Sequence, residues 1–131
     1  MPVHVTSQAL SQMRAAAANA HPQEACGILL GEDDRITQAS ATRNVHPLPA
    51  THFEIDPQAL IDAHRAARGG GPQIIGYFHS HPAGLAQPSA TDRACAAGDG
   101  RVWAIIAGEE VRFWRDDPQG FAALSYTPSD P

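Results

Sequence analysis

The feature that most restricts this chain is the run 73–82, an apolar stretch that ends in His79-Ser80-His81-Pro82. Residues 73–78 read as a hydrophobic strand, and Pro82 stops it by removing a ladder donor. Side chains two apart on an extended segment share a face, so His79 and His81 converge on one point at the strand's open end. Ile75 and Tyr77 have the same parity and are expected to aim the strand there. A loop rich in Pro and Gly follows, and Ser89 then opens a short helix through residue 97, with Asp92 in its first turn. Two histidines and a carboxylate leave a fourth position for water, the pattern of a catalytic zinc site, not a closed structural one. With this composition, His-x-His, seven residues, Ser, two residues and Asp arise by accident in about one such chain in a thousand.

The rest of the chain reads as a scaffold for this point, one domain over residues 1–131. Residues 7–20 form a helix, with Thr6 or Ser7 at its cap, Leu10, Met13 and Ala17 on one face, and His21-Pro22 at its end. Glu24 precedes a short buried strand over 25–30, closed by Gly31. An acidic turn at 32–34 leads to its hairpin partner over 36–45. A proline-punctuated loop, 46–52, and an extended piece, 53–55, reach a second helix, capped by Asp56, begun at Pro57 and stopped by Gly69-Gly70-Gly71. Strands follow over 102–107, 111–115 and 121–126, with a frayed tail from Thr127. The mixed order predicts an α/β (α+β) sandwich around a single curved sheet.

Composition narrows the partners. The net charge is −5, and all nine basic residues are arginines scattered singly, so the footprint of a phosphate-backbone binder is missing. Aromatics make up only 6% against 43% hydrophobic residues, so the core must be aliphatic. Cys26 and Cys95 are expected as reduced, inert thiols buried among small apolar residues. No run approaches the ~20 apolar residues that span a bilayer. Residues 1–10 lack a signal-peptide pattern, so the cytoplasm is the expected address.

His79-Ser80-His81-Pro82, Ser89 and Asp92, with Glu24 ahead of Ala25-Cys26-Gly27, resemble the signature of the JAMM (MPN-plus, Jab/MPN) zinc metalloprotease family in its small stand-alone prokaryotic form. Asn44, and Phe53-Glu54-Ile55-Asp56-Pro57 leading into a helix, extend the likeness over roughly residues 7–107. The resemblance implies a cytidine-deaminase-like JAMM fold, a single curved mixed β-sheet flanked by about three helices. It implies Zn2+ held by His79, His81 and Asp92. Glu24 would take a proton from the water on the zinc and pass it to the leaving amine, and Ser89 would donate to the oxyanion. The implied reaction is peptidase or isopeptidase cleavage at the flexible C-terminal tail of a ubiquitin-like or sulfur-carrier protein. A Gly-Gly tail could add as a strand to a sheet edge beside the metal. No substrate-binding residue is assigned. Two rival readings are a non-catalytic MPN-type interaction module and a zinc amidase acting on small molecules. A DNA-associated member with a related His-x-His pattern is disfavoured by the acidic charge.

Each residue also has a plainer reading. Two loop histidines and a capping aspartate would leave the joint spacing without a reason. Ser89 and Asp92 spell a helix N-cap with an acid at the third position, and the two roles are compatible. Glu24 without the histidines is a solvated surface charge; with them it is the carboxylate beside a buried strand, and Glu32 is the weaker substitute. His4, His21 and His64 read as surface residues, and His46 and His52 as loop histidines that flank the prolines. Trp103, Phe113 and Trp114 read as core or edge packing.

Overall fold

The helices begin where their caps predict. In the computed structural model, which describes residues 2–129, α1 (Ser7–Ala20) starts behind Thr6, whose hydroxyl oxygen accepts the Ala9 N–H at 3.1 Å. The second helix, α2 (Pro57–Arg68), starts behind Asp56 with Pro57 in its first turn, where a missing N–H loses nothing. The third, α3 (Ala90–Cys95), starts behind Ser89 and is shorter than expected.

The described strands form one eight-stranded sheet: β1 (Val3–Val5), β2 (Cys26–Glu32), β3 (Arg35–Thr42), β4 (Gln73–Ser80), β5 (Val102–Ala107), β6 (Glu110–Asp117), β7 (Gly120–Leu124) and β8 (Tyr126–Pro128). Their order is β7-β6-β5-β4-β2-β3-β1-β8. The pairs β1–β3, β1–β8 and β4–β5 are parallel and the others antiparallel, so the sheet is mixed. β7 and β8 lie at opposite ends of that order although only Ser125 separates them. Laid flat, eight strands would hold their outer edges about 34 Å apart. The sheet therefore curls until its ends meet at Ser125, whose carbonyl accepts the Val3 N–H at 3.1 Å where β1 and β8 pair.

That closure corrects the C-terminal reading. The single strand expected over 121–126 is two, because the chain changes sheet edge at Ser125. Thr127 and Pro128, expected to fray, belong to edge strand β8; residues 130 and 131 lie outside the described residues. β1 went unforeseen because three residues are too few for a period to register. The acidic turn is also tighter than expected: Glu32 belongs to β2, and Asp33 takes a φ of 54°. β3 stops at Thr42, and beyond it Asn44 makes an isolated bridge to Ile55.

α1 packs on the sheet's inner face, with Ala9, Leu10 and Met13 against Leu29, Ile36, Phe78, Ile106 and Phe113. On the outer face α2 lays Ala59, Leu60 and Ala63 over Ile28, Ile74 and Tyr77. Between the faces, a Cβ on Gly27 would run into the Phe78 ring and the Ser40 carbonyl, so only glycine lets β2 press this closely. Ile75 does not share the outward face with Tyr77. The β2–β4 register shifts opposite Leu29 and Leu30, and this bulge turns Ile75 to the inner core and puts Ile74 beside Tyr77. β4 is flanked by β2 and β5, so the sheet edge expected beside the histidines is already paired. Cys26 is buried as expected, but Cys95 is exposed, at the solvent-facing end of α3. No helix among the described residues is long and apolar enough to cross a membrane.

Candidate metal centre

The sheet register assembles the site. In the β2–β4 ladder Cys26 faces His79, and the same antiparallel register, continued by two residues, brings Glu24 opposite His81. Two hydrogen bonds hold that continuation: the Ser80 N–H donates to the Ala25 carbonyl at 3.0 Å, and the Ala25 N–H to Ser80 Oγ at 2.8 Å. Asp92 arrives from α3 through a capping box. Its N–H donates to Ser89 Oγ at 3.0 Å, and its Oδ2 accepts the Ser89 N–H at 2.9 Å.

Three electron-rich atoms meet. His79 Nε2 lies 3.0 Å from His81 Nε2, and each lies 3.1 Å from Asp92 Oδ2. One proton cannot serve all three, and a cation can. A tetrahedral zinc with ordinary bond lengths would separate such atoms by about 3.3–3.4 Å, a few tenths of an ångström more than the triangle shows. The three residues thus form a group compatible with metal binding.

The two imidazoles are held differently. His81 Nδ1 lies 2.6 Å from the Leu85 carbonyl, so a proton on Nδ1 leaves Nε2 free as a lone pair. His79 is fully buried and its Nδ1 has no hydrogen-bond partner. Its ring is gripped by aromatic walls instead: Phe53 stacks on it at 4.2 Å, and Trp103 meets it edge-on at 5.7 Å. All the polar contact the His79 ring makes is therefore directed from Nε2 into the triangle.

Electrostatics follow burial. For His79, burial lowers the pKa and outweighs the Asp92 carboxylate, which keeps the ring neutral and able to ligate. Burial alone would raise Asp92, but hydrogen bonds from His79 and His81 hold it well below the usual carboxylate range. His81 moves up: burial opposes this, but the Asp92 carboxylate and the Leu85 carbonyl prevail. Glu24 is buried, and desolvation pushes its carboxyl up to about 7, with His81 pulling the other way.

Glu24 is held by its backbone. Its N–H donates to the Pro49 carbonyl at 2.7 Å, and its carbonyl accepts from Asn44 Nδ2 at 3.1 Å. Asn44 also donates to the His52 carbonyl at 2.9 Å, and its Oδ1 accepts the His46 and Glu54 N–H groups at 3.1 and 3.0 Å. One side chain thus ties the start of β2 to the loop 46–52. The facing loop, 82–88, is pinned by the Trp114 indole N–H on the Ala86 carbonyl at 3.3 Å. Between the loops a cavity of about 400 Å3 is lined by Glu24, Thr51, His81, Gly84, Leu85 and Ser89. A larger cavity, about 760 Å3, opens at the opposite end of the sheet beside Asp33 and Gly70 and contains none of the site residues.

All five residues singled out from the sequence therefore lie at or around one point. His4, His21 and His64 are exposed as expected, and His46 and His52 stack on each other at 4.6 Å in their loop. The aromatic walls and the Trp114 pin were not foreseen. Alternation along β5 and β6 marks Trp103 and Trp114 as packing residues but says nothing about which loop or ring they meet.

The chain matches the family described as prokaryotic homologs of the JAB domain over residues 6–117. It is 38% identical over 100 residues to a desampylase of Haloferax volcanii, covering 75% of this chain and 72% of that protein. It is 33% identical over 90 residues to a probable TtuB-protein conjugate cleaving protease of Thermus thermophilus, covering 69% of this chain and 60% of that one. A solution structure of a protein from Desulfitobacterium hafniense superposes with a TM-score of 0.86 at 28% identity, covering 98% and 94% of the two chains. With the motif, the mixed curved sheet and these relatives together, the chain belongs to the prokaryotic JAB-domain family and is a hydrolase of the JAMM metalloprotease type.

Proposed function

We propose that this hydrolase is a zinc-dependent peptidase or isopeptidase that cuts an amide bond at the C-terminal tail of a ubiquitin-like or sulfur-carrier protein. The observation that carries the reading is the triangle of His79, His81 and Asp92, with edges of 3.0–3.1 Å, at the end of a groove that Glu24 and Ser89 also line. The names of the Haloferax and Thermus relatives, a desampylase and a conjugate-cleaving protease, support the substrate class.

His79, His81 and Asp92 would hold the zinc, and their donor set of two nitrogens and a carboxylate oxygen suits that ion. When bound, zinc would make water nucleophilic near neutral pH and polarise the scissile carbonyl. Glu24 does the proton work. A buried carboxyl beside the metal site can accept a proton from the attacking water and return it to the departing amine. Ser89 Oγ accepts a hydrogen bond from the Asp92 N–H, which leaves its own O–H free to donate to the oxyanion. Phe53 and Trp103 exclude water from His79 and hold its ring still. The whole of residues 1–131 would act as one domain.

Zinc content measured beside turnover of a Gly-Gly-tailed protein conjugate tests these roles. Glu24→Gln should retain about one zinc per chain and lose about 10²–10⁴-fold in kcat. Asp92→Asn should lose zinc and activity together. If Glu24→Gln loses its zinc or keeps full activity, Glu24 is not the base.

A further inference from the structure

We propose that Asp116 and Trp114 on β6 are positioning residues for the metal site, holding the two ends of the segment that carries Asp92. The inference rests on the reading that His79, His81 and Asp92 bind zinc. It starts from a weakness of α3. Six residues are too few for a helix to persist on its own, and of the six only Asp92 is buried. No apolar side chain of α3 belongs to either core cluster. The capping box ties Asp92 to Ser89, but both residues sit on the same segment and would move together. Where Asp92 stands relative to the two histidines of β4 has to be fixed from outside the segment.

β6 does this at two points. It pairs with β5 and β7 without a register shift, so Trp114 and Asp116, two residues apart, project from the same face. Ahead of the helix, the Trp114 indole N–H donates to the Ala86 carbonyl at 3.3 Å. Behind it, the Asp116 carboxylate accepts the Ala97 N–H at 3.0 Å on Oδ2 and the Gly98 N–H at 3.1 Å on Oδ1. One strand face therefore grips the chain at residue 86 and again at 97 and 98, with Asp92 between the two grips.

The grip at Asp116 is the firmer one. Its side chain is buried, 2% exposed, and no ion pair among the described residues joins it. A buried carboxylate costs free energy unless its charge is met, and here two backbone N–H groups meet it. Hydrogen bonds to an ionised acceptor are roughly twice as strong as neutral ones. Asp116 is itself fixed by its backbone: its N–H donates to the Arg101 carbonyl at 2.9 Å, and its carbonyl accepts the Gly100 N–H at 2.8 Å. With β6 held between β5 and β7, the support is rigid. A ligand set works only when held to within about 0.5 Å, so slack at residues 97 and 98 reaches the metal through Asp92.

The experiment uses the full chain, with Zn2+ affinity read by competition against a chromophoric chelator and Co2+ as a visible probe of the same ligands. Asp116→Ala should bind Zn2+ about tenfold or more weakly than wild type. Its Co2+ form should lose intensity in the visible bands that mark four-coordinate ligation. Asp116→Asn keeps one acceptor and should recover part of the loss. Ile36→Ala truncates the inner core on β3, away from the site, and should lower stability while leaving both metal readouts at wild-type values. Unchanged metal readouts in Asp116→Ala, or an equal loss in Ile36→Ala, overturn the positioning role and leave the zinc reading standing. A wild type that binds no zinc overturns both. Where Asp116→Ala does not fold, Trp114→Phe carries the test: it keeps an aromatic ring, removes the indole N–H and should also weaken Zn2+ binding. Wild-type affinity in Trp114→Phe then overturns the role.

Discussion

Phe78 and His79 are neighbours on β4, both fully buried, and they face opposite sides of the sheet. Phe78 enters the inner core against α1, where removal from water contributes stability of about 1.5–3 kcal/mol. His79 enters the outer face, where its ring costs free energy unless Nε2 finds a partner. Of the six buried polar or charged residues among those described, four (Glu24, His79, Ser80 and Asp92) lie at this one end of β4 and the elements it meets. The comparison teaches that the fold separates two jobs across one strand. The inner face supplies stability, and the outer face spends part of it on holding polar groups out of water.

The sharpest way to break the comparison is to truncate each neighbour. Phe78→Ala should lower the unfolding free energy by about 3–5 kcal/mol, seen as a lower urea midpoint. His79→Ala should abolish zinc binding yet, in chelated protein, cost only about 1–2 kcal/mol. Equal destabilisation by the two would mean that His79 is a core residue like any other.

A smaller effect separates capping from chemistry at Ser89. Ser89→Ala removes the oxygen that accepts the Asp92 N–H, which should cost about 1 kcal/mol of stability. Its kcat should fall by about 10²–10³-fold with zinc retained. Unchanged kcat with reduced stability would leave Ser89 as a cap alone.

A further effect concerns pH and the metal-free fold. The Glu24 carboxyl rises from 4.5 to about 7 on folding. Between those values the unfolded chain has released this proton while the folded one keeps it, so Glu24 makes the fold less stable as pH rises through the window. In chelator, Glu24→Gln should therefore gain melting temperature relative to wild type as pH goes from about 4.5 to about 7, and the gap should level off above it. Chelation matters, because a bound cation would pull the carboxyl back down. A melting-temperature difference that stays flat across the window would contradict a buried, uncompensated Glu24.

Much of the site was legible because its signals are local. The capping box at Ser89 and Asp92 needs only residues three apart, and the convergence of His79 and His81 needs only the strand's period of two. The helix bounds of α1 and α2 rest on Thr6, Asp56, Pro57 and Gly69, each a neighbour of the turn it caps. The bulge was not legible. Whether Ile75 follows Tyr77 or turns inward depends on how β2 pairs with β4, and the alternation within β4 does not encode that. Cys95 was misplaced for a related reason, since a short helix among alanines does not reveal which side faces solvent.

The sequence by itself determined the candidate ligand set, the capped helices and an aliphatic core around mixed elements. Those follow from residue chemistry and from periods that repeat within a few positions. Only the tertiary structure decided that β7 and β8 close the sheet from opposite ends, that Glu24 stands opposite His81, and that Phe53 and Trp103 wall in His79. Each of these joins residues far apart in the chain, and their choice of partner is made by packing and pairing summed over the whole sheet, which no local window of sequence contains.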